Sequence, residues 1–482
     1  MKLNNFIIGL YLLVSALLFI SFFENLFVWG SFFANWLFLT IMFIYHLKIE
    51  KTYSPFLSAY ITFNFLFFIL APMVQIGSFD EQSHAFPNYF PYSESKVVYA
   101  NVLILCFHFC FFMSYLFFKK RHLKKPSTIT VKDINSKYTP LTVLIILLAG
   151  IMTLYLSRSY IINLFTESHW ITNARYNISV SGQLILKKVL YMMPLGAIVL
   201  IKSYFQNNRK ITNNAIILFL VYILLITLLL VFKNPLTEKR NAIGPIYITL
   251  LFLFAPKTLN SNSKSFLFLF FSLVILFPLV AGLTHLDATI MEIINNPSLI
   301  TEHYEKEGIV SSFFTLHYDA FANVMATAEY VSKHGMSFGF QLLSGLLFFV
   351  PRSIWASKPT STGELIGNYV IDEYDFVYHN LSNPMVSEGY INFGFIGIIL
   401  MATALAYFVV KLLNWLFSND PLKRIMAFYF SVHLLFFLRG DFTNGFSYFI
   451  GTLIGVMLIP KAINVFLAWS FKKKKRVNES NA

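Results

Sequence analysis

Long apolar runs constrain this chain more than any other feature of its sequence. Crossing the roughly 30 Å hydrocarbon core of a bilayer takes about 20 residues of helix. Runs of about that length, two of them shorter, occur at residues 4–23, 26–47, 54–72, 97–118, 140–157, 186–202, 213–232, 242–256, 265–284, 393–411, 425–438 and 446–468. Only 12% of the residues are charged, about half the fraction usual in soluble domains. The sequence therefore predicts an all-α polytopic membrane protein with about twelve transmembrane helices, forming a single domain over residues 1–482.

The positive charges predict an orientation. Most of the 37 lysines and arginines fall on one side if both termini are cytoplasmic, in residues 46–51, 119–125, 202–210 and 471–476. Cytoplasmic loops of membrane proteins carry such an excess. We therefore expect both termini in the cytoplasm, and the net charge of +14 gives no reason to expect a nucleic-acid partner.

Residues 285–392 form one long loop on the outer side in this topology. Connections of that length are uncommon and tend to be functional. Inside it, residues 338–350 are apolar but too few to cross the membrane. We expect them to form a re-entrant or interfacial helix that leads directly into the sequence PRSIWASKP.

Several cations remain on the outer side, and three of them, Arg240, Arg352 and Arg439, stand at the ends of apolar segments. The arginine guanidinium binds phosphate oxygens in pairs and keeps its charge when partly desolvated. If several converge, they suit a pyrophosphate head group without a metal. Each one alone is equally explained as an anchor that contacts lipid phosphates at a helix end.

Carboxylates are the second group of candidates. Asp319, Asn323 and Thr327 recur at every fourth residue and predict one polar stripe on a helix, with His317 close by on another face. Glu388 stands just before a predicted span, where it would suit a general base acting on a sugar hydroxyl. For Asp319 a helix cap or an arginine partner is the stronger alternative.

Other site types lack their motifs. The chain contains no GxSxG, Walker A, HExxH or CxxC sequence, so the hydrolase, ATPase and zinc-protein classes have no support. The outer loops also lack an Asp-x-Asp cluster suited to a metal-dependent transferase. We expect no metal and no cofactor. Charges near the middle of the spans are almost absent, which argues against an ion-coupled carrier.

Several blocks resemble a known family in the same order along the chain. These are EKRN (238–241), HYDAFAN (317–323), VPRSIWASKPTSTGELIGN (350–368), SEGYINFGFIG (387–397) and RGDFTNG (439–445). They are similar to blocks of the bacterial oligosaccharide repeat-unit polymerases, the Wzy-type O-antigen polymerases and their relatives. The resemblance covers the C-terminal half, whereas the first 230 residues share only hydropathy. The PRSIWASKP block is its most specific part.

The resemblance implies a fold like that of metal-independent, lipid-linked glycosyltransferases (GT-C-like) in the bacterial inner membrane. The implied reaction is periplasmic transfer of a growing glycan from undecaprenyl diphosphate onto an undecaprenyl-diphosphate-linked repeat unit. It places Glu388 as base or acceptor-positioning group, with Asp319 and His317 behind it. The implied diphosphate ligands are Arg240, Arg352, Lys358, Arg439, Lys239 and Arg175. Expected partners are lipid-linked oligosaccharides, membrane lipid and a chain-length co-polymerase.

Two other functions compete with this interpretation. An O-antigen ligase would use the same donor but a lipid A core acceptor, and the PRSIWASKP block favours the polymerase. A lipid-linked oligosaccharide flippase, a different class, would line a cavity inside the bundle with charge. The charges predicted here lie in outer loops instead.

Overall fold

The computed structural model describes residues 2–79, 84–123, 136–165, 172, 175–176, 180–207, 213–235, 237–238, 240–276, 296, 298 and 309–480. The described chain is helical and contains no strand. Its main helices are α1 Lys2–Ser21, α2 Leu26–Ile49, α3 Pro55–Gly77, α4 Glu94–His122, α5 Thr139–Asn163, α6 Leu184–Asn207, α7 Asn213–Phe232, α8 Arg240–Phe254, α9 Asn262–Val274, α10 Ala320–His334, α11 Phe340–Leu346, α12 Thr362–Tyr374, α13 Met385–Leu416, α14 Pro421–Arg439 and α15 Phe442–Phe471.

Ten of these helices are long and apolar enough to cross a membrane. They are α1 to α7 and α13 to α15, and each corresponds to a predicted span. The chain is therefore an all-α polytopic membrane protein, as predicted. The other two predicted spans fall on α8 and α9, which are shorter apolar helices within the described residues. A total of twelve spans stays a prediction.

Helix α3 lies at the centre of the bundle. In its most apolar window, 94% of the residues are buried, so it is covered on all sides rather than on one face. Helix α14 packs against α3, α8 and α13, while α13 also packs along α4. Aromatic side chains fill these contacts: the Phe252 and Phe428 rings stack with centroids 3.9 Å apart. The bundle thereby holds the start of α13, the end of α14 and the start of α15 next to each other.

Helix α13 is folded back on itself near its start. Phe393 and Gly394 have non-helical backbone angles, and Gly394 has a positive φ of 57°. In a straight helix, residues eight apart are about 12 Å from each other, yet here the backbones of Gly389 and Gly397 touch: a Cβ on Gly389 would lie 2.7 Å from the Gly397 carbonyl oxygen. The helix thus consists of a short segment, residues 385–392, and a longer part, residues 395–416. The predicted start of this span, residue 393, falls at the fold.

The described part of the predicted outer loop contains α10, α11 and α12. The apolar stretch 338–350 forms the seven-residue helix α11 followed by turns. Its predicted re-entrant or interfacial position remains an expectation. Most of residues 277–308 lie outside the described residues, and the continuous described part of the loop begins at residue 309.

Candidate active site

Glu388 lies on the folded-back segment of α13, and its side chain is buried, with a residue exposure of 1%. Its Oε1 accepts a hydrogen bond from the Phe442 backbone N–H at 2.7 Å and another from the Thr362 hydroxyl. Phe442 begins α15 and Thr362 begins α12. The carboxylate therefore lies at the N-terminal ends of two helices, where backbone dipoles stabilise negative charge.

Asp441 is a second buried carboxylate, close enough to Glu388 for the two charges to interact. It caps α15, accepting from Asn444 N at 2.7 Å and Asn444 Nδ2 at 2.9 Å. Burial raises the pKa of Asp441, while hydrogen bonds from Asn444 and Ser361 and the charge of Lys188 oppose that rise. Two interacting carboxylates buried at the same helix N-terminus form an arrangement typical of acid–base sites.

Lys188 supplies the positive charge opposite Asp441. Its Nζ donates to Ser447 Oγ at 2.8 Å and lies 3.5 Å from the centroid of the Tyr448 ring. Helix α15 approaches closely because Gly451 has no side chain: a Cβ there would lie 2.7 Å from that of Lys188. Ionisable residues buried in membrane proteins usually serve function, so Lys188 belongs to the candidate site.

A second group of charged residues includes Lys187, the residue before Lys188. Lys187 and Lys233 lie 3.5 and 3.6 Å from the carboxylate of Glu238, and Lys233 also donates to the Lys187 carbonyl at 2.9 Å. Burial lowers the pKa of Lys233, and Glu238 opposes this shift. Glu238 is the first residue of the EKRN block, and the structure pairs it with two of these lysines.

Sequence reasoning missed Lys187, Lys188, Lys233 and Asp441. A signal for the first two was present, because the predicted span 186–202 contains both of these adjacent lysines. Charged residues inside a span are rare and usually functional. Asp441 stands in the RGDFTNG block, of which the sequence points only to Arg439, two residues earlier.

Arg439 joins two other predicted site residues. Its Nη2 lies 3.1 Å from Asp319 Oδ1 and donates to the Leu316 carbonyl at 2.7 Å, while its Nε donates to the His317 carbonyl at 3.0 Å. Burial raises the pKa of Asp319, and the Arg439 guanidinium opposes this. The His317 side chain is exposed. The pairing of Asp319 with an arginine is the alternative that the sequence had favoured.

The predicted stripe on α10 is present in the structure. Asp319 precedes the helix and accepts from the Ser382 hydroxyl at 2.8 Å. Asn323 accepts from Asn88 at 2.8 Å, and Thr327 donates to Asn383 at 3.0 Å. All three stripe residues are buried, and they hold the segment just before Glu388 against α10.

Arg352 and Lys358 lie in one loop. The Lys358 Nζ donates to the carbonyls of Leu347, Phe348 and Val350 at 2.9 to 3.0 Å. Arg352 is exposed, and its guanidinium donates to the carbonyls of Lys358 and Pro359. Pro359 is two residues before Ser361, whose side chain hydrogen-bonds to Asp441. This loop therefore lies next to Asp441.

Three predicted cations remain: Arg240, Lys239 and Arg175. Arg240 begins α8, and Lys239 lies outside the described residues. Arg175 is exposed. Glu388 and Arg439 thus lie near each other, because Arg439 ends α14 and Phe442, three residues later, donates its N–H to Glu388. Arg352 lies on an adjoining loop.

An apolar cavity of about 260 Å³ lies next to Glu388, on the other side of Phe442. Side chains from α11, α13, α14 and α15 line it, among them Met401, Phe430, Leu434, Phe437, Phe442 and Phe446. His433 is the polar exception among the described lining residues, and its Nδ1 has no hydrogen-bond partner there. Phe442 belongs to both sites, because its ring lines the cavity while its N–H binds Glu388.

The arrangement contains proton acceptors and cations rather than a metal-ligand set. Among the residues that the structure describes, no group of three or more His, Cys, Asp or Glu side chains is placed to hold a metal ion. The chain matches no protein-family model, no curated protein and no solved structure.

Proposed function

We propose that this chain is an oligosaccharide repeat-unit polymerase of the bacterial inner membrane. It would transfer a growing glycan from undecaprenyl diphosphate onto an undecaprenyl-diphosphate-linked repeat unit at the periplasmic face. The observation that carries the proposal is the junction at Phe442, where a buried carboxylate and cation cluster meets an apolar cavity. A charged head group on a long hydrocarbon chain requires both environments side by side.

Glu388 is the proposed base. The acceptor hydroxyl of the incoming repeat unit attacks the anomeric carbon of the growing glycan, and its proton passes to the Glu388 carboxylate. The new glycosidic C–O bond forms as the bond from that carbon to the diphosphate oxygen breaks. The role fits a carboxylate held in place by Thr362 and Phe442 N–H, because general bases need a fixed geometry.

Cations stabilise the departing diphosphate in this proposal. Charge that develops on a leaving group is best stabilised by groups already oriented toward it. The residues proposed to contact the phosphates are Arg352, Arg240 and Lys239. The lysines of the candidate site, Lys187, Lys188 and Lys233, are proposed to join them. Arg439 and Lys358 contribute by shaping the loops, since their donors bind carbonyls and Asp319.

The test compares surface glycolipid on a gel from a strain lacking this gene and from complemented strains. Glycolipid with one repeat unit but no ladder in the deletion strain is expected, since export and ligation would remain. Wild type should restore the ladder and Glu388→Gln should not. Asp372→Asn, an exposed carboxylate on α12, is the matched control and should restore it.

The same gel separates the competing functions. If no repeat unit reaches the lipid A core in the deletion strain, the protein ligates or exports, and the polymerase proposal is wrong. A full ladder from Glu388→Gln at normal membrane abundance would remove Glu388 as the base.

A further inference from the structure

A second, polar cavity of about 740 Å³ lies on the other side of the folded-back segment of α13. It is bounded by the start of α4, by α10, by the end of α12 and by Tyr390. Small-molecule sites typically enclose roughly 300–1,000 Å³. The volume is thus sufficient for a ligand of several rings.

Three charged residues line this cavity, Lys96, Glu329 and Lys333, and they form ion pairs. Glu329 interacts with the ammonium groups of Lys96 and Lys333, and Lys333 also pairs with Glu373 at 2.5 Å. Burial alone would raise the pKa of Glu329, but hydrogen bonds from Lys96, Tyr369 and Tyr374 lower it to about 2. Both lysines of the lining are therefore already paired with carboxylates, one of which, Glu373, lies outside the lining. Paired cations favour a neutral polar ligand over an anion.

Three tyrosines, Tyr99, Tyr374 and Tyr390, also line the cavity. Tyr99 and Tyr390 join their hydroxyls at 2.7 Å, with ring planes 78° apart. The Tyr374 hydroxyl donates to Glu329. Aromatic side chains with polar tips offer apolar faces and hydrogen-bonding groups together, which suits the C–H faces and hydroxyls of sugars.

The cavity is placed close to the candidate active site but apart from it. Tyr390 follows Glu388 by two residues, and two helical residues are about 200° apart around the axis. Glu388 accordingly faces α15 while Tyr390 faces α4. One short helical segment separates the cavity from the carboxylate.

We propose that this cavity is an oligosaccharide-binding site, separate from the diphosphate site, which holds the glycan during transfer. The identity of the glycan rests on the proposed function. Lys96, Glu329 and Ser332 bind sugar hydroxyls, and Tyr99, Tyr374 and Tyr390 contact the ring faces.

The test is a binding assay on the purified full-length protein in nanodiscs. The probe is the lipid-free oligosaccharide of two repeat units, released by mild acid from the surface polysaccharide of the strain that carries the gene. Tyr99→Ala removes one aromatic wall and is expected to weaken binding about tenfold. Ser332→Trp fills the cavity from an exposed position on α10, so it should abolish binding without removing a core contact.

The matched control is Tyr378→Ala, an exposed tyrosine that does not line the cavity, and its binding should equal wild type. Equal binding by wild type and Ser332→Trp would overturn the proposal, as would a wild type that binds inorganic phosphate but no oligosaccharide. The assay needs no turnover. A deletion strain with an unaltered ladder would therefore defeat the proposed polymerase separately from this site.

Discussion

At the scale of single residues, Arg352 and Lys358 have different tasks although they share a loop. An ammonium group has three donors, and those of Lys358 all reach backbone carbonyls just after α11. Burial and the neighbouring Arg352 lower the pKa of Lys358. Arg352 is exposed and uses only part of its five donors on carbonyls. Of the two, Arg352 is the one suited to phosphate.

Arg352→Ala should therefore abolish the polymer ladder at normal membrane abundance, with a loss of about a hundredfold or more, as for other preorganised donors. Arg352→Lys should retain little activity, because the paired fork is lost. The measurement is the surface glycolipid gel together with an immunoblot of membranes.

Arg158→Ala is the matched control for this prediction. Arg158 is also an outer arginine in the predicted topology, but it is exposed and stacks over Tyr155 with its Cζ 4.3 Å from the ring centroid. It should keep a full ladder. Full polymer length in Arg352→Ala would refute the role of Arg352 in holding the diphosphate.

Sequence reasoning identified some site residues and missed others for a physical reason. Glu388 and Arg439 were visible because each stands at the end of an apolar run. Lys188 gains its role from Ser447, 259 residues further on, and no local pattern specifies such a partner. The burial of Asp441 likewise depends on how α12 and α15 meet.

At the scale of elements, the fold in α13 depends on glycine. Gly389→Ala would bring a Cβ within 2.7 Å of the Gly397 carbonyl oxygen. Overpacking of this kind costs typically about 1–3 kcal/mol, and the change would shift the adjacent Glu388. Thermal unfolding in nanodiscs should show reduced stability, and the ladder should be weakened.

Gly9→Ala provides the comparison, because a Cβ at Gly9 would meet nothing within 4 Å. In the middle of helix α1 this change should stabilise by roughly 0.5–1 kcal/mol or leave the protein unchanged. Equal unfolding temperatures for the Gly389 and Gly9 variants would show that the two halves of α13 can separate at no cost.

The positions of the helices were largely predictable and the shape of α13 was not. Ten predicted spans agree with helices because about 20 apolar residues in a row admit few other structures. Glycine is common in membrane helices, so Gly394 inside an apolar run does not by itself indicate a reversal. The length of α11 was overestimated from the same apolar pattern, which continues through non-helical turns.

At the scale of the whole molecule, the predicted orientation can be tested by chemical labelling. The chain has two free cysteines, Cys106 and Cys110. With both changed to serine, Ser357→Cys in the long outer loop should react with an impermeant maleimide on intact cells. Asn260→Cys, between α8 and α9, should react only after the membrane is permeabilised.

Both positions are exposed in the structure, so access across the membrane decides the result. The reverse pattern would invert the topology and place Glu388 and Arg352 in the cytoplasm, where periplasmic polymerisation is impossible. Labelling of both positions in intact cells would show that the chain does not separate these loops by the bilayer.

The fold-back in α13 also shortens a helix that would otherwise be longer than the hydrocarbon core is thick. The helix has 32 residues and, if straight, would measure about 48 Å against a hydrocarbon core of about 30 Å. The part after the fold, residues 395–416, measures about 33 Å and fits that thickness with a slight tilt. The remaining segment, residues 385–392, folds back and carries Glu388. The thickness of the bilayer therefore helps to determine the depth of the proposed base in the membrane.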